Sequence, residues 1–303
     1  MTEAAALRRI EAGVLEIAYL ESGPADGWPC LLGHGFPYDA HAYDAVAARL
    51  ARAGARVIVP WLRGYGATRF LDGATMRSGE QAALAADMAA LMDALGIGRA
   101  VLAGYDWGGR AMCIIAALWP ERCAALVTGN GYNIHDVPSS ARPASDPALE
   151  HMLWYTWYFQ NERGRRGLIE NRRALTRYLW RIWSPEWPFD DTTFERSAAA
   201  FDNPDFVEVV THSYRVRHGL VPGDPAYAHL ETRLVGQPPI TVPAISIDGA
   251  ADGVNPGTAH TNHRFTGPFA HRRWEGAGHN LPQERPDAFA DAIQEARAMA
   301  GAG

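Results

Sequence analysis

One short stretch, AVLAGYDWGGRAM (100–112), constrains the fold of this chain more than any other. The residues before Asp106 are apolar, aromatic or glycine, as in a buried strand, and the residues after it have the apolar spacing of a helix. A strand that turns into a helix at Gly-x-Asp-x-Gly has the form of a nucleophile elbow, in which the central side chain projects above the sheet. The alternative is that Asp106 only caps the helix.

Strand-like and helix-like segments alternate on both sides of this turn. Strand patterns occur at 14–23, 29–35, 56–60, 100–105, 123–130, 240–249 and 270–278, and helical patterns at 42–54, 80–97, 108–120 and 286–300. After about 136 the chain is helical in pattern, arginine-rich and aromatic. This order predicts an α/β fold with a mostly parallel, doubly wound sheet and an inserted helical lid, or cap. The expected division is core 1–135, cap 136–238 and core 239–303.

The composition excludes several classes of function. The chain has 303 residues, a net charge of −6 and no lysine, which excludes a Schiff-base lysine and a Walker-type phosphate loop. No block of like charge indicates a nucleic-acid or membrane partner. Cys30, Cys113 and Cys123 lack metal-ligand spacing, so neither a disulfide framework nor a zinc site is predicted. Without a signal-like or membrane-like segment, we expect a cytoplasmic protein that needs no cofactor or metal.

Two motifs near the end of the chain supply possible partners for Asp106. DGAADG places Asp252 in a loop after one predicted strand, and GAGHN places His279 in the loop after the next. The order nucleophile, acid, histidine is that of a hydrolase triad on an α/β sheet. Asp248, four residues before Asp252, remains the alternative acid, although its place at the strand end makes it the less favoured one.

These motifs together resemble the epoxide hydrolase and haloalkane dehalogenase branch of the α/β-hydrolase superfamily, whose nucleophile is an aspartate. The resemblance covers nearly the whole chain and also includes HGFP (34–37), RGYG (63–66) and GHNLPQERP (278–286). It implies the α/β-hydrolase fold with a cap domain. The elbow and the histidine motif carry the resemblance together, since RGYG is common to many hydrolases of this fold.

An aspartate nucleophile determines which bonds of a substrate the enzyme can break. Attack by Asp106 on an sp³ carbon with a strained or good leaving group gives an alkyl ester whose carbonyl belongs to the enzyme. By resemblance, His279 and Asp252 then activate the water that attacks this ester, and the amides of Phe36 and Trp107 stabilise the oxyanion. We therefore expect carbon–oxygen or carbon–halogen bonds to be opened by displacement, and not ordinary ester or peptide hydrolysis.

Residues of the predicted cap indicate whether the substrate is an epoxide or a halide. An epoxide oxygen needs a proton when the ring opens, which a pair of phenols can supply, whereas a halide needs only N–H donors. WYTWYFQNERG (154–164) and THSYRVRHG (211–219) resemble the cap of epoxide hydrolases, and the resemblance implies that Tyr155 and Tyr214 are the proton donors. Tyr158 is an alternative to Tyr155, and aromatic residues at this spacing can also be cap core.

Further residues are expected to bind substrate: His34, Trp107, Arg110, Trp154 and Tyr158. Phe36 stands where haloalkane dehalogenases often have a halide-binding asparagine, which weakens the halide alternative, although the indole of Trp107 could hold a halide. Arg110 resembles an arginine that binds the substrate carboxylate in haloacetate dehalogenases, but those enzymes have a second arginine where this chain has Trp107. A structural ion pair is therefore the expected use of Arg110.

The sequence thus predicts a cofactor-independent hydrolase that opens epoxides to vicinal diols. Its expected partner is a small apolar organic substrate, and its expected state is a monomer or homodimer. The first alternative is a haloalkane or haloacetate dehalogenase with the same nucleophile. The second is a non-catalytic homologue of the same fold that binds a ligand.

Overall fold

A computed structural model describes residues 5–140, 142–144 and 146–301. Within these residues nine strands form one sheet. They are β1 (Ala6–Ala12), β2 (Leu15–Ser22), β3 (Trp28–Gly33), β4 (Ala55–Pro60), β5 (Arg69–Phe70), β6 (Ala100–Tyr105), β7 (Cys123–Gly129), β8 (Ala244–Gly249) and β9 (Phe269–Trp274). The order is β1-β2-β4-β3-β6-β7-β8-β9, with β5 paired to β2.

The sheet is parallel except at one edge. The strands β1, β2 and β4 pair antiparallel, and the pairs from β4 through β3 to β9 are parallel. The chain adds β4 on one side of β3 and β6 on the other, so the order reverses between these strands. Ligands of open α/β sheets bind in the crevice that such a reversal leaves at the carboxyl ends of the strands. The Gly-x-Asp-x-Gly turn after β6 lies at this crevice.

The core helices cover the sheet. They are α1 (Asp44–Arg52), α2 (Gln81–Ala94), α3 (Asp106–Leu118), α10 (Leu281–Glu284) and α11 (Pro286–Gly301), where α4 to α9 are the cap helices named below. The helix α1 packs against α11, and α2 packs against α3. The strands β6 and β8 are buried along their whole length, as expected for parallel strands covered on both faces.

Between β7 and β8 the chain forms the helical cap: α4 (Pro147–Met152), α5 (Trp154–Tyr158), α6 (Glu162–Trp183), α7 (Asp191–Ala198), α8 (Phe206–Arg217) and α9 (Ala228–Leu234). The indole of Trp180 donates to the carbonyl of Pro37 at 2.7 Å, and Ser197 donates to the buried carboxylate of Asp39 at 2.6 Å. Both contacts reach the segment after β3, so the cap lies over the crevice. The predicted α/β-hydrolase architecture with a helical cap is confirmed, while the domain boundaries at 135/136 and 238/239 stay predictions.

Three further observations concern the described residues as a group. Within the described part of the chain, every helix is too short or too polar to cross a lipid bilayer. The same residues hold no cluster of three or more His, Cys, Asp or Glu side chains suited to a metal ion. Cys30, Cys113 and Cys123 are buried free thiols.

Candidate active site

Asp106 stands at the turn between β6 and α3 with a φ of 49°, which few residues other than glycine adopt. The packing around the turn requires glycine. A Cβ on Gly108 would lie 2.1 Å from the backbone of Gly33, at the end of β3. Helix α3 can therefore approach β3 only because both positions lack side chains. This close approach holds the Asp106 carboxylate above the carboxyl ends of β3 and β6.

The Asp106 carboxylate is ionised and partly accessible. The amide of Phe36 donates to Oδ1 at 2.7 Å, and the N-terminus of α3 favours a negative charge here. Burial alone would raise the pKa of Asp106, but His279, Arg110 and the Phe36 amide lower it below its usual value. The side chain remains 20% exposed. Since Oδ1 is bound, Oδ2 is the oxygen free to attack.

His279 lies between two carboxylates. Its Nδ1 is 2.8 Å from Asp252 Oδ2, and its Nε2 is 3.7 Å from Asp106 Oδ2, longer than a direct hydrogen bond. Because an ionised carboxylate only accepts, Nδ1 carries a proton and Nε2 faces Asp106. Burial lowers the pKa of His279, but Asp252 and Asp106 outweigh this and raise it to about 10. The imidazole is therefore protonated before any reaction.

Asp252, and not Asp248, is the carboxylate that contacts the histidine. Asn130 donates to Asp252 Oδ2 at 2.9 Å, and the amide of Val254 donates to Oδ1 at 2.8 Å. Asp248 instead accepts from the amide and the hydroxyl of Thr258, both at 2.7 Å. The geometry therefore supports the favoured acid over its alternative.

Tyr155 of α5 and Tyr214 of α8 lie against each other, with ring centroids 5.7 Å apart and planes at 89°. Both side chains are buried. Burial raises the pKa of each phenol, and the negative charge of Asp106 raises both further. Two protonated phenols therefore stand within electrostatic range of the Asp106 carboxylate. Phe36 and Trp183 pack against them, with ring centroids 5.6 Å from Tyr214 and 4.8 Å from Tyr155 respectively.

Trp107 and His34 have different surroundings. The indole of Trp107 stacks on Phe36 at 5.5 Å, lies 6.2 Å from the ring of Tyr214, and has an unpartnered Nε1 among the described residues. His34 is fully buried, and its Nε2 accepts from the amide of Leu62 at 3.1 Å. Burial lowers the pKa of His34 to about 4, so the ring is neutral. His34 therefore ties the loop after β3 to the segment after β4. Its substrate-binding role stays a prediction.

Trp154 and Tyr158 lie on one face of α5, and their expected role in substrate binding stays a prediction. The two residues are four apart on α5 and share a face, whereas Tyr155 lies on another. A Cβ on Gly167 would lie 2.1 Å from the Tyr158 hydroxyl, so this hydroxyl packs against α6. The ring of Trp154 lies 6.4 Å from that of Tyr178, which is 53% exposed. The structure thus places both side chains against the outer part of the cap, and of the two candidate tyrosines only Tyr155 faces Tyr214.

The prediction that Arg110 forms a structural ion pair is wrong. Its Nε donates to the carbonyl of Asn133 at 3.1 Å, and no carboxylate among the described residues pairs with its guanidinium. Burial lowers the pKa of Arg110, and the charge of Arg217 lowers it further, to about 9. The negative charge of Asp106 acts in the opposite direction and raises the pKa of Arg110.

Sequence reasoning missed three residues that shape the site. Asn130 holds Asp252, as described above, and Ser184 accepts from the amide of His279 at 3.0 Å. Arg217 lies over the ring of Tyr214, with its guanidinium carbon 4.9 Å from the centroid. Only Asn130 had a local signal, because it is the last residue of a predicted strand. Ser184 and Arg217 belong to cap segments whose position depends on packing.

Comparisons with known proteins identify the family of this chain. Residues 29–211 match the model of the alpha/beta hydrolase fold family. Epoxide hydrolase A of Mycobacterium tuberculosis (strain H37Rv) is 25% identical over 315 aligned positions, which cover 95% of this chain and 96% of that protein. A haloalkane dehalogenase of Mycolicibacterium paratuberculosis is 28% identical over 192 positions, covering 62% of this chain and 60% of the relative. A solved candidate epoxide hydrolase from Klebsiella pneumoniae is 46% identical, with a TM-score of 0.95 and coverage of 96% and 97%.

Proposed function

Because this chain belongs to the alpha/beta hydrolase fold family, we propose that it is a cofactor-independent enzyme that opens epoxides to vicinal diols through an ester on Asp106. The observation that carries the proposal is the pair of buried phenols, Tyr155 and Tyr214, whose rings lie edge to face within electrostatic range of the Asp106 carboxylate. An opening epoxide develops an alkoxide that needs a proton, and phenols beside the attacking carboxylate supply it. The similarity to proteins named epoxide hydrolases supports the same conclusion.

In the first step, Asp106 Oδ2 attacks a ring carbon of the epoxide while the Phe36 amide holds Oδ1. A carbon–oxygen bond of the ring breaks, and the ring oxygen takes a proton from Tyr155 or Tyr214. The product of this step is a hydroxyalkyl ester of Asp106 and one phenolate. The phenolate recovers its proton from the protonated His279.

The ester changes the electrostatics of His279. In the free protein, Asp106 and Asp252 both raise the pKa of His279. Alkylation removes the charge of Asp106, so the pKa of His279 falls and the neutral imidazole becomes available as a base. The nucleophile thereby keeps the base protonated until the ester exists. This order prevents His279 from acting before it is needed.

Water completes the cycle. His279 Nε2 takes a proton from the water that attacks the Asp106 carboxyl carbon, and the amides of Phe36 and Trp107 stabilise the oxyanion. The bond between the carboxyl carbon and the ester oxygen then breaks. The departing diol oxygen takes the proton from His279, and the carboxylic proton of Asp106 returns to the imidazole, held by Asp252. Epoxide and water are the only species consumed.

The walls of the site suit a small substrate with an apolar body. Phe36, Trp107, Tyr155 and Trp183 surround the carboxylate with aromatic surface. The second candidate function is dehalogenation by the same nucleophile, which the unpartnered indole nitrogen of Trp107 favours as a halide donor. A leaving halide needs no proton, so dehalogenation would leave the two phenols without a role. Epoxide opening uses both of them.

The proposal is tested by stopping the cycle at the ester. The variant His279→Gln is incubated with styrene oxide or with a haloalkane and analysed by intact-protein and peptide mass spectrometry. The expected result is one added styrene oxide on the Asp106 peptide, while the wild type forms phenylethanediol. Asp106→Asn is the matched control and should gain no mass. Adducts from the haloalkane alone would instead establish the dehalogenase, and no turnover of either probe by the wild type would favour the ligand-binding alternative.

A further inference from the structure

The C-terminal end of cap helix α6 lies between the two core loops that carry Asp252 and His279. The carbonyl of Trp183, the last residue of α6, accepts from the amide of Gly253 at 3.0 Å and from the amide of His279 at 3.2 Å. A Cβ on Gly253 would lie 1.9 Å from the carbonyl oxygen of Ile182, so the cap and the acid loop are in close contact. One carbonyl group of the cap thus binds both loops, beside the acid in one and at the histidine in the other.

Ser184, the next residue of the cap, adds a side-chain contact to the histidine loop (275–280), which joins β9 to α10. Its hydroxyl accepts from the amides of His279 at 3.0 Å and Asn280 at 3.3 Å, and it donates to Glu284 Oε1 at 2.7 Å. Ser184 is 1% exposed, and a Cβ on Gly278 would lie 2.5 Å from its Cα. The cap and the histidine loop therefore meet backbone to backbone at this point.

Glu284 of α10 holds the same loop from the core. Its Oε2 accepts from the amide of Gly278 at 2.6 Å, and its Oε1 accepts from the amide of Asn280 at 2.9 Å as well as from Ser184. The amides on both sides of His279 therefore bind one carboxylate. Hydrogen bonds from backbone amides to a carboxylate are charge-assisted, so they fix the loop more firmly than neutral hydrogen bonds would.

The backbone of His279 determines the two distances that its ring must keep. Nδ1 is 2.8 Å from Asp252 Oδ2, whereas Nε2 is 3.7 Å from Asp106 Oδ2 and faces the position of the ester. In the proposed second step, Nε2 must reach the water that attacks this ester. The first step relies instead on Asp106, which is held by the amide of Phe36 at 2.7 Å and not by the histidine loop.

We propose that Ser184 and Glu284 are positioning residues that hold His279 in place for the hydrolysis of the ester. The inference rests on the proposed function and makes its second step depend on the docked cap, because the serine belongs to the cap and the glutamate to the core. Both act through the backbone of the histidine loop. Loss of either contact should therefore slow the attack of water on the ester more than the attack of Asp106 on the epoxide.

A rapid-quench experiment separates the two steps. Each protein is mixed with styrene oxide, and the ester on the Asp106 peptide is followed by mass spectrometry, so that its formation and its decay give two rates. Ser184→Ala and Glu284→Ala should slow ester decay by about tenfold to a hundredfold, as expected for a displaced catalytic group. Ester formation should stay within about threefold of the wild type. Glu284→Gln keeps one acceptor oxygen and should lose less than Glu284→Ala.

The matched control is Ser197→Ala, which also removes a buried cap hydroxyl that donates to a core carboxylate, that of Asp39 at 2.6 Å. It should weaken the fold by a similar hydrogen bond without changing the ratio of the two rates. A merely structural role of Ser184 would likewise reduce only the amount of folded enzyme. If Glu284→Ala does not fold, Ser184→Ala and Glu284→Gln carry the test. An unchanged ratio in the variants that fold would overturn the inference.

A spectroscopic test needs no turnover and separates this inference from the proposed function. The proton on Nδ1 of His279, in its short contact with Asp252, gives a low-field proton NMR signal that should be lost in His279→Gln. The signal should shift or broaden in Ser184→Ala and Glu284→Ala and stay in place in Ser197→Ala. This result without turnover of any epoxide would support the positioning role while the proposed function fails alone. If styrene oxide is hydrolysed but neither the signal nor ester decay changes in these variants, the positioning role is overturned and the function stands.

Discussion

The side chain of His279 contacts carboxylates, whereas the side chain of Arg110 contacts a backbone carbonyl. His279 is flanked by Asp252 at 2.8 Å and Asp106 at 3.7 Å. Arg110 donates from Nε to the carbonyl of Asn133 at 3.1 Å and forms no ion pair with a carboxylate of the described residues. The position of His279 is therefore fixed by charged partners, and that of Arg110 by a neutral one.

The two regions also come from different parts of the fold. The carboxylates and the histidine follow β6, β8 and β9, at the carboxyl ends of core strands. Arg110 lies within α3 of the core, and Arg217 is the last residue of α8 in the cap. Changes in the first region should therefore alter the chemical steps more than changes in the second. The predictions below test this division.

The largest effect is expected from Asp252→Asn, which should lower kcat for styrene oxide by about a thousandfold or more. The variant removes the charge that orients Nδ1 of His279 and stabilises the imidazolium. Asp248→Asn removes the same charge from a buried site four residues away that contacts Thr258 instead. This control should change kcat by less than about threefold, since it leaves the catalytic charges in place. Equal losses in both variants would break the assignment of Asp252.

Removing one phenol should have a smaller effect. Tyr155→Phe and Tyr214→Phe should each lower kcat/KM for styrene oxide by about tenfold to a hundredfold, because one proton donor remains. The double variant should lose more than either single variant. The rates come from diol formation, with circular dichroism to show that the variants fold. A double variant as active as the wild type would contradict the role of the phenols and revive the halide alternative.

Because two carboxylates raise the pKa of His279, we expect the stability of the folded protein to depend on pH. The folded-state pKa of His279 is raised to about 10, so the folded protein binds an extra proton above the unfolded pKa of about 6.5. This stabilisation is fully present below about pH 6.5 and is lost as the pH rises toward 10. The free energy of unfolding, measured with urea, should therefore fall over that interval. Asp106→Asn should flatten the slope, and an identical slope in the variant would contradict the coupling.

The smallest effect is expected at the outer part of the cap. Tyr158→Phe should change kcat/KM by less than about twofold, because the lost hydroxyl packs against Gly167 and not toward Asp106. The assay is the one used for Tyr155→Phe. A tenfold loss would mean that Tyr158, and not Tyr155, serves the reaction.

The sequence predicts what depends on local geometry. A left-handed aspartate between glycines is possible only in a tight turn, so the strand, the turn and α3 follow from about a dozen residues. The helices α2 and α11 follow from their apolar spacing. The position of β3 between β4 and β6 cannot be read from the sequence, because strand order depends on pairings between distant segments. The two-residue strand β5 is too short to give any pattern.

The same limit applies to the site. The chain order of Asp106, Asp252 and His279 identifies the three groups, but the contact between Asp252 and His279 requires the folded loops. The face of α5 that carries Tyr155 depends on how the cap packs on the core. The partner of Arg110 could not be predicted, because it is the backbone carbonyl of Asn133, in a loop whose path depends on the folded chain.

The central claim is that the oxygen added to the substrate first belongs to Asp106. The most direct test is one turnover of styrene oxide in heavy-oxygen water with enzyme in excess, followed by mass spectrometry of the Asp106 peptide and of the diol. The account predicts a diol of ordinary mass and a heavy oxygen in the Asp106 peptide. A heavy diol with an unlabelled peptide would mean that water attacks the epoxide directly and would contradict the account.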